Sequence, residues 1–444
     1  MTTAHSPASP HDVIGVGFGP SNLALAIAIK ELRDAGQRPL NCLFIDKQQH
    51  YRWHGDTLAS QSELQISFLK DLVSLRNPTS PYSFVNYLKQ QGRLIDFINL
   101  RTFYPCRTEF NDYLRWVGDQ FAHQALYGEE VLRLEPATHK GPVEHLRVVS
   151  RDASGVEHAR PARAVVISSG GTPRVPELFK PLRQDPRVFH HSSYLSTLAT
   201  LPCSQGTPMR IAIVGSGQSA AEAFIDLHDS FPCVSADMIV RGSALKPADD
   251  SPFVNEVFAP HYTELMFQQT PQQRQQWIEE FHNTNYSVID PGLIERIYAV
   301  LYRQKVSGVK RHAVLCLRQV EGVNSSPAGI ALDTRDVTTG AVDSQRYDAV
   351  ILATGYERNA HRQLLAPLHQ YLDDFQVDRQ YRALSSPELK APVFLQGFCE
   401  ASHGLSDTLL SVLACRSEEI ATALYASLAV PATHTGLKIA AGGA

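Results

Sequence analysis

The chain has 444 residues, of which 43% are hydrophobic and 19% are charged, so it can bury a large core and is not a disordered protein. Its 41 basic and 45 acidic side chains give a formal net charge of −4, which provides no general attraction to nucleic acid or to an anionic membrane. Neither a long apolar run nor a basic segment followed by an apolar one is found, so neither integral membrane contact nor a signal peptide is expected.

The seven cysteines are scattered, and none of them forms a Cys-x-x-Cys pair. Zinc sites and dithiol redox centres use such pairs, so neither is expected, and no metal is predicted. Unpaired cysteines fit a reducing compartment, and the expected location is cytoplasmic.

The first nucleotide-binding pattern lies near the start of the chain. Apolar periodicity predicts a strand over residues 13–16, a helix over 21–32 and a second strand over 40–45. The turn after the first strand contains Gly17, which permits a tight bend, and Gly19, which lets the backbone approach a pyrophosphate. The N-terminus of the helix is expected to face the phosphates.

Two further residues bear on this pattern. Asp46 follows the second strand, where a carboxylate can hold a pair of ribose hydroxyls. Asn22 stands where the third glycine of the pattern is usual, so the pattern is imperfect. The alternative is a plain strand-to-helix turn with a surface aspartate, and the spacing of strand, helix and acid disfavours it.

Residues 47–110 are irregular and rich in aromatic, proline and polar residues, and such a segment in a compact enzyme usually lines a site. Taken alone, Lys70 is typical of a solvated surface lysine, and His54 beside Trp53 is typical of a packed, hydrogen-bonded histidine. The elements predicted next along the chain are a helix over 110–121, strands over 146–149 and 164–168, and a linker over 200–208.

A second nucleotide-binding pattern occupies residues 210–241, where Gly215, Gly217 and Ala220 fit G-x-G-x-x-A after an apolar run. The second strand of this unit ends in Arg241 rather than in an acid. A carboxylate would repel the 2′-phosphate of NADPH, whereas a guanidinium can bind it. The sequence therefore favours NADPH over NADH, and a solvated arginine is the alternative.

The remaining predicted elements are helices over 271–281 and 292–304 and strands over 347–353 and 393–396. The first of these strands ends in Thr354-Gly355, which resembles a signature of flavoproteins that bind two dinucleotides. Two glycine turns of this kind predict an α/β fold with two Rossmann-like domains that hold two nucleotide cofactors face to face. Such an arrangement is typical of a flavoenzyme that takes hydride from a nicotinamide.

Five segments carry a more specific resemblance, and they cover residues 17–22, 51–54, 64–72, 246–256 and 403–411. They resemble the flavin-dependent N-hydroxylating monooxygenases of hydroxamate siderophore synthesis, in particular those that hydroxylate ornithine in pyoverdine-type pathways. The likeness extends over about residues 10–425.

The resemblance implies a domain plan and an activity. FAD would bind to residues 10–200 and 346–430, which also carry substrate-pocket segments, and NADPH to residues 207–345, whose helical part over 246–305 faces the substrate; residues 431–444 would be a flexible tail. The activity would be NADPH-dependent N5-hydroxylation of L-ornithine by O2 through a C4a-hydroperoxyflavin. Hydroxylation of N6 of L-lysine is the alternative within the family.

The resemblance also assigns roles to individual residues. The catalytic group would be Gln65, Asn285 and Ser411, and the substrate-binding group would be Lys70, Asn255 and Asn285. The cofactor-binding group would be Gly17, Gly19, Pro20, Ser21, Asn22, Asp46, Lys47, Trp53, His54, Gln65, Gly215, Ser216, Gly217, Gln218, Ser219, Arg241, Thr354, Gly355 and Ser411.

Two other classes of protein stay open at this point. A dithiol-type flavin reductase is disfavoured because the chain has no Cys-x-x-Cys pair, and a non-catalytic nucleotide-binding regulator would consume no oxygen with NADPH. The expected partners are L-ornithine and O2, without nucleic acid. The sequence leaves open whether the chain forms a homo-oligomer and which siderophore receives the product.

Overall fold

The computed structural model describes residues 9–59, 61–138 and 140–429. The strands of this part are β1 His11–Val16, β2 Cys42–Asp46, β3 Ala125–Tyr127, β4 Glu129–Pro136, β5 Leu146–Asp152, β6 Glu157–Ile167, β7 Thr172–Pro173, β8 Val188–His190, β9 Met209–Val214, β10 Val234–Ile239, β11 Ala313–Leu315, β12 Arg318–Ser326, β13 Gly329–Asp336, β14 Val342–Tyr347, β15 Ala349–Leu352, β16 Tyr356–Glu357, β17 Leu372–Val377, β18 Ala383–Ser385 and β19 Val393–Leu395. The helices are α1 Pro20–Asp34, α2 Phe84–Gln90, α3 Leu94–Leu100, α4 Arg107–Gln120, α5 Tyr194–Leu198, α6 Gln218–Ser230, α7 Pro252–Asn255, α8 Pro260–Gln268, α9 Pro271–Glu280, α10 Pro291–Ser307, α11 Ala360–Leu364, α12 Glu400–His403 and α13 Leu413–Ser427.

The first sheet has the order β3-β2-β1-β6-β5-β4, with β19 also paired to β6. Strands β3, β2, β1 and β19 run parallel to the C-terminal half of β6, whereas β5 pairs antiparallel with its N-terminal half. Helix α1 is buried from Asn22 to Ile29 and packs against α13. The apolar run of α1 is explained by this position, because a parallel sheet is covered on both faces.

The second sheet has the order β11-β10-β9-β15-β8, and all of its strands run parallel. Helices α6 and α10 share its core, and the antiparallel sheet β12-β13-β14 packs on its other side. The expected α/β fold with two Rossmann-like domains is confirmed.

The domain boundaries differ from those expected at residues 200–207 and 345–346. Strands β8 and β15 both belong to the second sheet, and Val350 of β15 is the register partner of both Val188 and Ala212. This pairing buries the apolar side chains of the strands. Domain boundaries at residues 207 and 345 would assign β8 and β15 to one domain and β9 to the other, and separating them would expose those side chains to water. We call the part built on the first sheet the first unit and the part built on the second sheet the second unit. The chain crosses between these two units at β7 and β16, which pair antiparallel with each other.

The segment over 47–110 was expected to be irregular, yet it contains α2 and α3 and the start of α4. Ser83 caps α2 by accepting a hydrogen bond from the backbone N–H of Asn86. The rings of Phe84, Phe97 and Phe110 pack together, with centroids 5.6 Å and 5.8 Å apart. Aromatic packing therefore builds short helices where the sequence has no helical period.

Helices α7 to α10 follow the second glycine turn, and α8 and α9 contact α12 of the first unit. Thr270 and Gln273 form a capping box at the start of α9. No helix of the described residues is long and apolar enough to cross a membrane. The flexible tail expected over 431–444 lies outside the described residues.

Candidate functional site

The first glycine turn is closed by Asp46. Gly17 has a φ of +83°, and a Cβ at this position would lie 2.7 Å from the carbonyl oxygen of Ser168. Asp46 is buried, and it accepts hydrogen bonds from the backbone N–H groups of Phe18 at 2.7 Å and of Gln48 at 2.8 Å. Since a carboxylate can accept about four hydrogen bonds, Asp46 keeps acceptor capacity for a ribose hydroxyl.

The N-terminus of α1 is open. Gly19 is its N-cap without a side-chain hydrogen bond, and a Cβ on Gly19 would meet nothing within 4 Å. Pro20 opens the helix, where the missing N–H costs nothing. The N–H groups of the first turn are therefore available for a pyrophosphate.

Asn22 has a structural part in this turn. Its side chain is fully buried, its Nδ2 donates to the carbonyl oxygen of Gly17 at 2.6 Å, and its Oδ1 accepts from Gln396 Nε2 at 3.0 Å. The amide thus ties the turn to the end of β19, which explains why asparagine replaces the third glycine. The hydrogen bonds of the Asn22 side chain to Gly17 and Gln396 are thus made within the protein.

The second glycine turn joins β9 to α6. Gly215 has a φ of +153°, and a Cβ there would lie 2.3 Å from the carbonyl oxygen of Ala353. Gly217 is the N-cap of α6 and, like Gly19, leaves the helix without a side-chain cap. Both helices that begin at a glycine turn thus present open N-termini, as a dinucleotide requires.

A cavity of about 1130 Å³ lies in front of the second turn. It brings together the following assigned residues: Gly215, Ser216, Gly217, Gln218, Ser219, Arg241, Asn285, Thr354 and Gly355. Arginines outnumber carboxylates on its wall, with Arg174, Arg241, Arg318 and Arg358 against Glu177 and Glu400. This charge suits an anionic dinucleotide.

The same cavity reaches the first sheet. Gly397 and Phe398, which follow β19, line it together with Glu400 and Thr408. Because β19, β6 and β1 are parallel neighbours, the residues after β19 lie at the edge of the sheet that carries the Gly17 turn. The second glycine turn and the carboxyl edge of the first sheet therefore open into one cavity, whereas residues 17–22 do not line it.

Gln65 and Asn285 do not line the same cavity. Gln65 is exposed and lines a second cavity of about 340 Å³, together with Glu222. Gln218 lines both cavities and is the link between them. Gln65 and Asn285 thus lie in the two cavities that meet at Gln218, and Ser411 lines neither of them.

Lys70 and Asn255 lie outside these two cavities. Lys70 is half-buried, and burial lowers the pKa of its ammonium group while the charge of Glu256 opposes that shift. Glu256 directly follows Asn255, which is exposed at the end of α7. The charge of Glu256 thus acts on Lys70, so the fold brings the 64–72 segment close to the 246–256 segment.

Trp53 and His54 pack beside α4. The backbone N–H of Trp53 donates to Asn111 Oδ1 at 2.9 Å, and its ring meets the ring of His54 edge-on at 4.9 Å. His54 has a left-handed backbone with a φ of +52°, an uncommon conformation for a residue with a side chain. Lys47 is exposed just after Asp46.

Ser411 is buried and 1% exposed, and its Oγ has no hydrogen-bond partner among the described residues. A buried hydroxyl without a partner is costly, so this atom fits a site that a ligand completes. The N-termini of α1 and α6 are open, and there is free space beside Gly19. Together with the unpartnered Ser411 hydroxyl, these features fit two bound dinucleotides.

Two ion pairs of this region carry no signal in the sequence. Arg107 of the first unit donates to Glu222 of the second at 2.9 Å, and burial raises the pKa of Glu222 while Arg107 opposes that shift. Arg416 pairs with Asp407 at 2.9 Å, and both side chains are buried. The first pair joins residues 115 positions apart, and no local pattern predicts such a contact.

Comparison with known proteins agrees with this geometry. The family model described as L-lysine 6-monooxygenase/L-ornithine 5-monooxygenase matches residues 9–358. The L-ornithine N(5)-monooxygenase of Pseudomonas aeruginosa is 62% identical over 428 residues, which are 96% of this chain and 96% of that protein. A solved structure of an ornithine hydroxylase from Pseudomonas aeruginosa has a TM-score of 0.91 and 61% identity, covering 95% of this chain and 100% of the other.

A more distant solved structure is the ornithine N-hydroxylase of Kutzneria sp. 744 with reduced FAD, NADP+ and L-ornithine. It has a TM-score of 0.89 and 34% identity, and the match covers 95% of this chain and 100% of that one. Family model, relatives and fold agree over nearly the whole length, so the chain belongs to the L-lysine 6-monooxygenase/L-ornithine 5-monooxygenase family.

Proposed function

We propose that this chain is an FAD- and NADPH-dependent L-ornithine N5-monooxygenase. The observation that carries the proposal is the single cavity into which the second glycine turn and the carboxyl edge of the first sheet both open. Hydride transfer requires a nicotinamide and a flavin in contact, and this cavity gives both dinucleotides a common space. The proteins most similar in sequence support ornithine as the substrate.

NADPH is assigned to the second unit. The open N-terminus of α6 would hold the pyrophosphate, and Ser216 and Ser219 line the cavity beside it. Arg241 follows β10 and lines the same cavity, where its guanidinium can pair with the 2′-phosphate.

FAD is assigned to the first unit. The backbone of the Gly17–Gly19 turn and the N-terminus of α1 would hold its pyrophosphate, and Asp46 would accept from its ribose. When bound, FAD supplies the two-electron redox chemistry and the activation of O2. Ser411 would donate its unpaired hydroxyl to the flavin, and Gln65 would support the flavin from the side of the second cavity.

The substrate is assigned to the segments around Lys70 and Asn285. Lys70 pairs with the carboxylate of the amino acid, and Asn255 adds a hydrogen bond. The side-chain amine has an ordinary pKa of about 10.4 and must be neutral to accept an oxygen atom. Desolvation lowers the free energy needed to remove that proton, and the side-chain carbonyl of Asn285, as acceptor for a remaining N–H of the amine, would orient its lone pair.

A cytoplasmic location is part of the proposal. All seven cysteines are free, and four of them are half-buried or exposed. A reducing compartment keeps such thiols from forming disulfides.

The decisive experiment compares products from ornithine and lysine side by side. We expect a hydroxylamine product from ornithine, with NADPH consumed in near-equal amount, and little product from lysine. Lysine is longer by one methylene, which is worth about 0.8 kcal/mol of burial, so discrimination must come from the pocket length. Efficient hydroxylation of lysine alone would assign the chain to the lysine branch, and NADPH oxidation without any hydroxylamine from either amino acid would refute a monooxygenase.

A further inference from the structure

Arg416 is the largest fully buried side chain of the described residues. It lies on α13 and is 2% exposed, and its Nη1 donates both to Asp407 Oδ1 at 2.9 Å and to the backbone carbonyl oxygen of Asp407 at 2.5 Å. A buried guanidinium requires a charged partner, and Asp407 provides it. The pair therefore carries no net charge. It influences its neighbours through the directions in which the guanidinium N–H groups of Arg416 donate hydrogen bonds.

The other terminal nitrogen of Arg416 points to the first glycine turn. Its Nη2 donates to Ser21 Oγ at 3.0 Å, across 395 positions of sequence. Ser21 is the second residue of α1, next to the open space at Gly19. A serine hydroxyl has one proton to donate, and Oγ already accepts from Arg416, so that proton must point away from the guanidinium.

We propose that Arg416 is a positioning residue for FAD, because it orients the Ser21 hydroxyl so that its proton is donated to the pyrophosphate in front of α1. The inference rests on the flavin of the proposed function. Arg416 itself touches no cofactor and acts through Ser21.

Asp407 links Arg416 to the 403–411 segment, which carries Ser411. Its Oδ2 accepts from the backbone N–H of Cys399 at 2.7 Å, while its Oδ1 holds Arg416. Ser21 at the beginning of the fold and the 403–411 segment near its end are thus fixed by one ion pair. Each side of the flavin site is then held relative to the other.

The test measures how fast FAD leaves the full-length holoenzyme, from the rise of flavin fluorescence after dilution. Ser21→Ala removes the hydroxyl and leaves the ion pair intact. Arg416→Lys keeps a charge for Asp407, but a single ammonium group does not reproduce the two-sided guanidinium contact. We expect each variant to release FAD about tenfold faster than wild type, the size of one good hydrogen bond.

The double variant Ser21→Ala/Arg416→Lys separates orientation from general stability. If Arg416 acts through Ser21, the double variant releases FAD no faster than the single ones. Multiplied effects of about a hundredfold, or wild-type release from either single variant, would overturn the proposal. If Arg416→Lys does not fold, wild-type release from Ser21→Ala still overturns the proposal.

Arg379→Met is the matched control. Arg379 pairs with Glu419 of the same helix α13 at 2.8 Å, and none of its contacts reaches Ser21. FAD release from this variant should equal that of wild type, and acceleration equal to that of Arg416→Lys would mean that any weakening of α13 has the effect. A wild-type chain that retains no FAD would instead refute the proposed function itself.

Discussion

Half-burial gives Lys70 its chemical character. Burial lowers the pKa of its ammonium group, and an anion placed beside it raises that pKa and favours the charged form. We expect Lys70→Ala to raise the KM for ornithine about ten- to hundredfold, the contribution of a charge-assisted hydrogen bond, with FAD content unchanged. Steady-state kinetics and the flavin spectrum measure the two quantities. Lys89→Ala, on the exposed end of α2, is the control, and an unchanged KM in Lys70→Ala would make Lys70 a solvated lysine.

Arg241 is the residue that we propose decides the choice between the two nicotinamide nucleotides. Its guanidinium lines the cavity at the end of β10, where an enzyme that prefers NADH places a carboxylate. We expect Arg241→Ala to weaken NADPH about ten- to hundredfold and to leave NADH nearly unchanged. Anaerobic flavin reduction with each nucleotide measures this. Arg318→Ala removes another cation of the same wall, and a specific loss of NADPH there instead would move the assignment to Arg318.

At the scale of elements, the two glycine turns differ in why a side chain is disfavoured at their glycines. A Cβ at Gly215 would collide with the backbone of Ala353, whereas a Cβ at Gly19 would enter open space. We expect Gly215→Ala to lower the thermal midpoint of the apoprotein by several degrees, because β9 and β15 must separate. Gly19→Ala should keep that midpoint and weaken FAD binding, since the methyl group occupies space for the pyrophosphate. Equal midpoints for the two variants would contradict this distinction.

The sequence predicts both β-α-β units because their signals are local: apolar runs, glycine turns and the residue that ends the second strand. The pairing of β8 with β15 is not local, since it joins residues about 160 positions apart. The sequence therefore does not predict that residues 188–190 and 349–352 belong to the second sheet. The contact of Arg416 with Ser21 is missed for the same reason. The sequence does not predict helices α2 and α3, because aromatic packing rather than a helical period of apolar residues stabilises them.

At the scale of the whole molecule, several buried histidines are neutral. Burial is the first cause that lowers the pKa of His361 and His403 to about 4 and of His191 and His312 to about 3. The unfolded chain binds protons at these groups below about pH 6.5, and the native protein does not. The stability that depends on keeping these histidines neutral is therefore fully present above that pH, and it is lost progressively as the pH falls toward the native pKa values.

We expect the free energy of unfolding, measured by chemical denaturation, to fall continuously from pH 7 to pH 5. His312 accepts from the backbone N–H of Ala236 and contacts His228 at 3.1 Å, so His312→Gln should make the decline shallower. His261→Gln changes an exposed side chain and should leave the slope as it is. A stability independent of pH over this range would contradict the neutral state of these side chains.

The crossing of the chain at β7 and β16 has a consequence for the history of the fold. Tyr356 is the register partner of Pro173, so the segment that leaves the first unit and the segment that returns to it lie side by side. Everything between them is topologically an insertion whose ends meet. Such a module can be gained, lost or exchanged without rethreading its host, because loop closure between adjacent ends costs little entropy. A flavin-binding host can in this way acquire a nicotinamide-binding guest as one piece, with its active site forming where the two surfaces face each other.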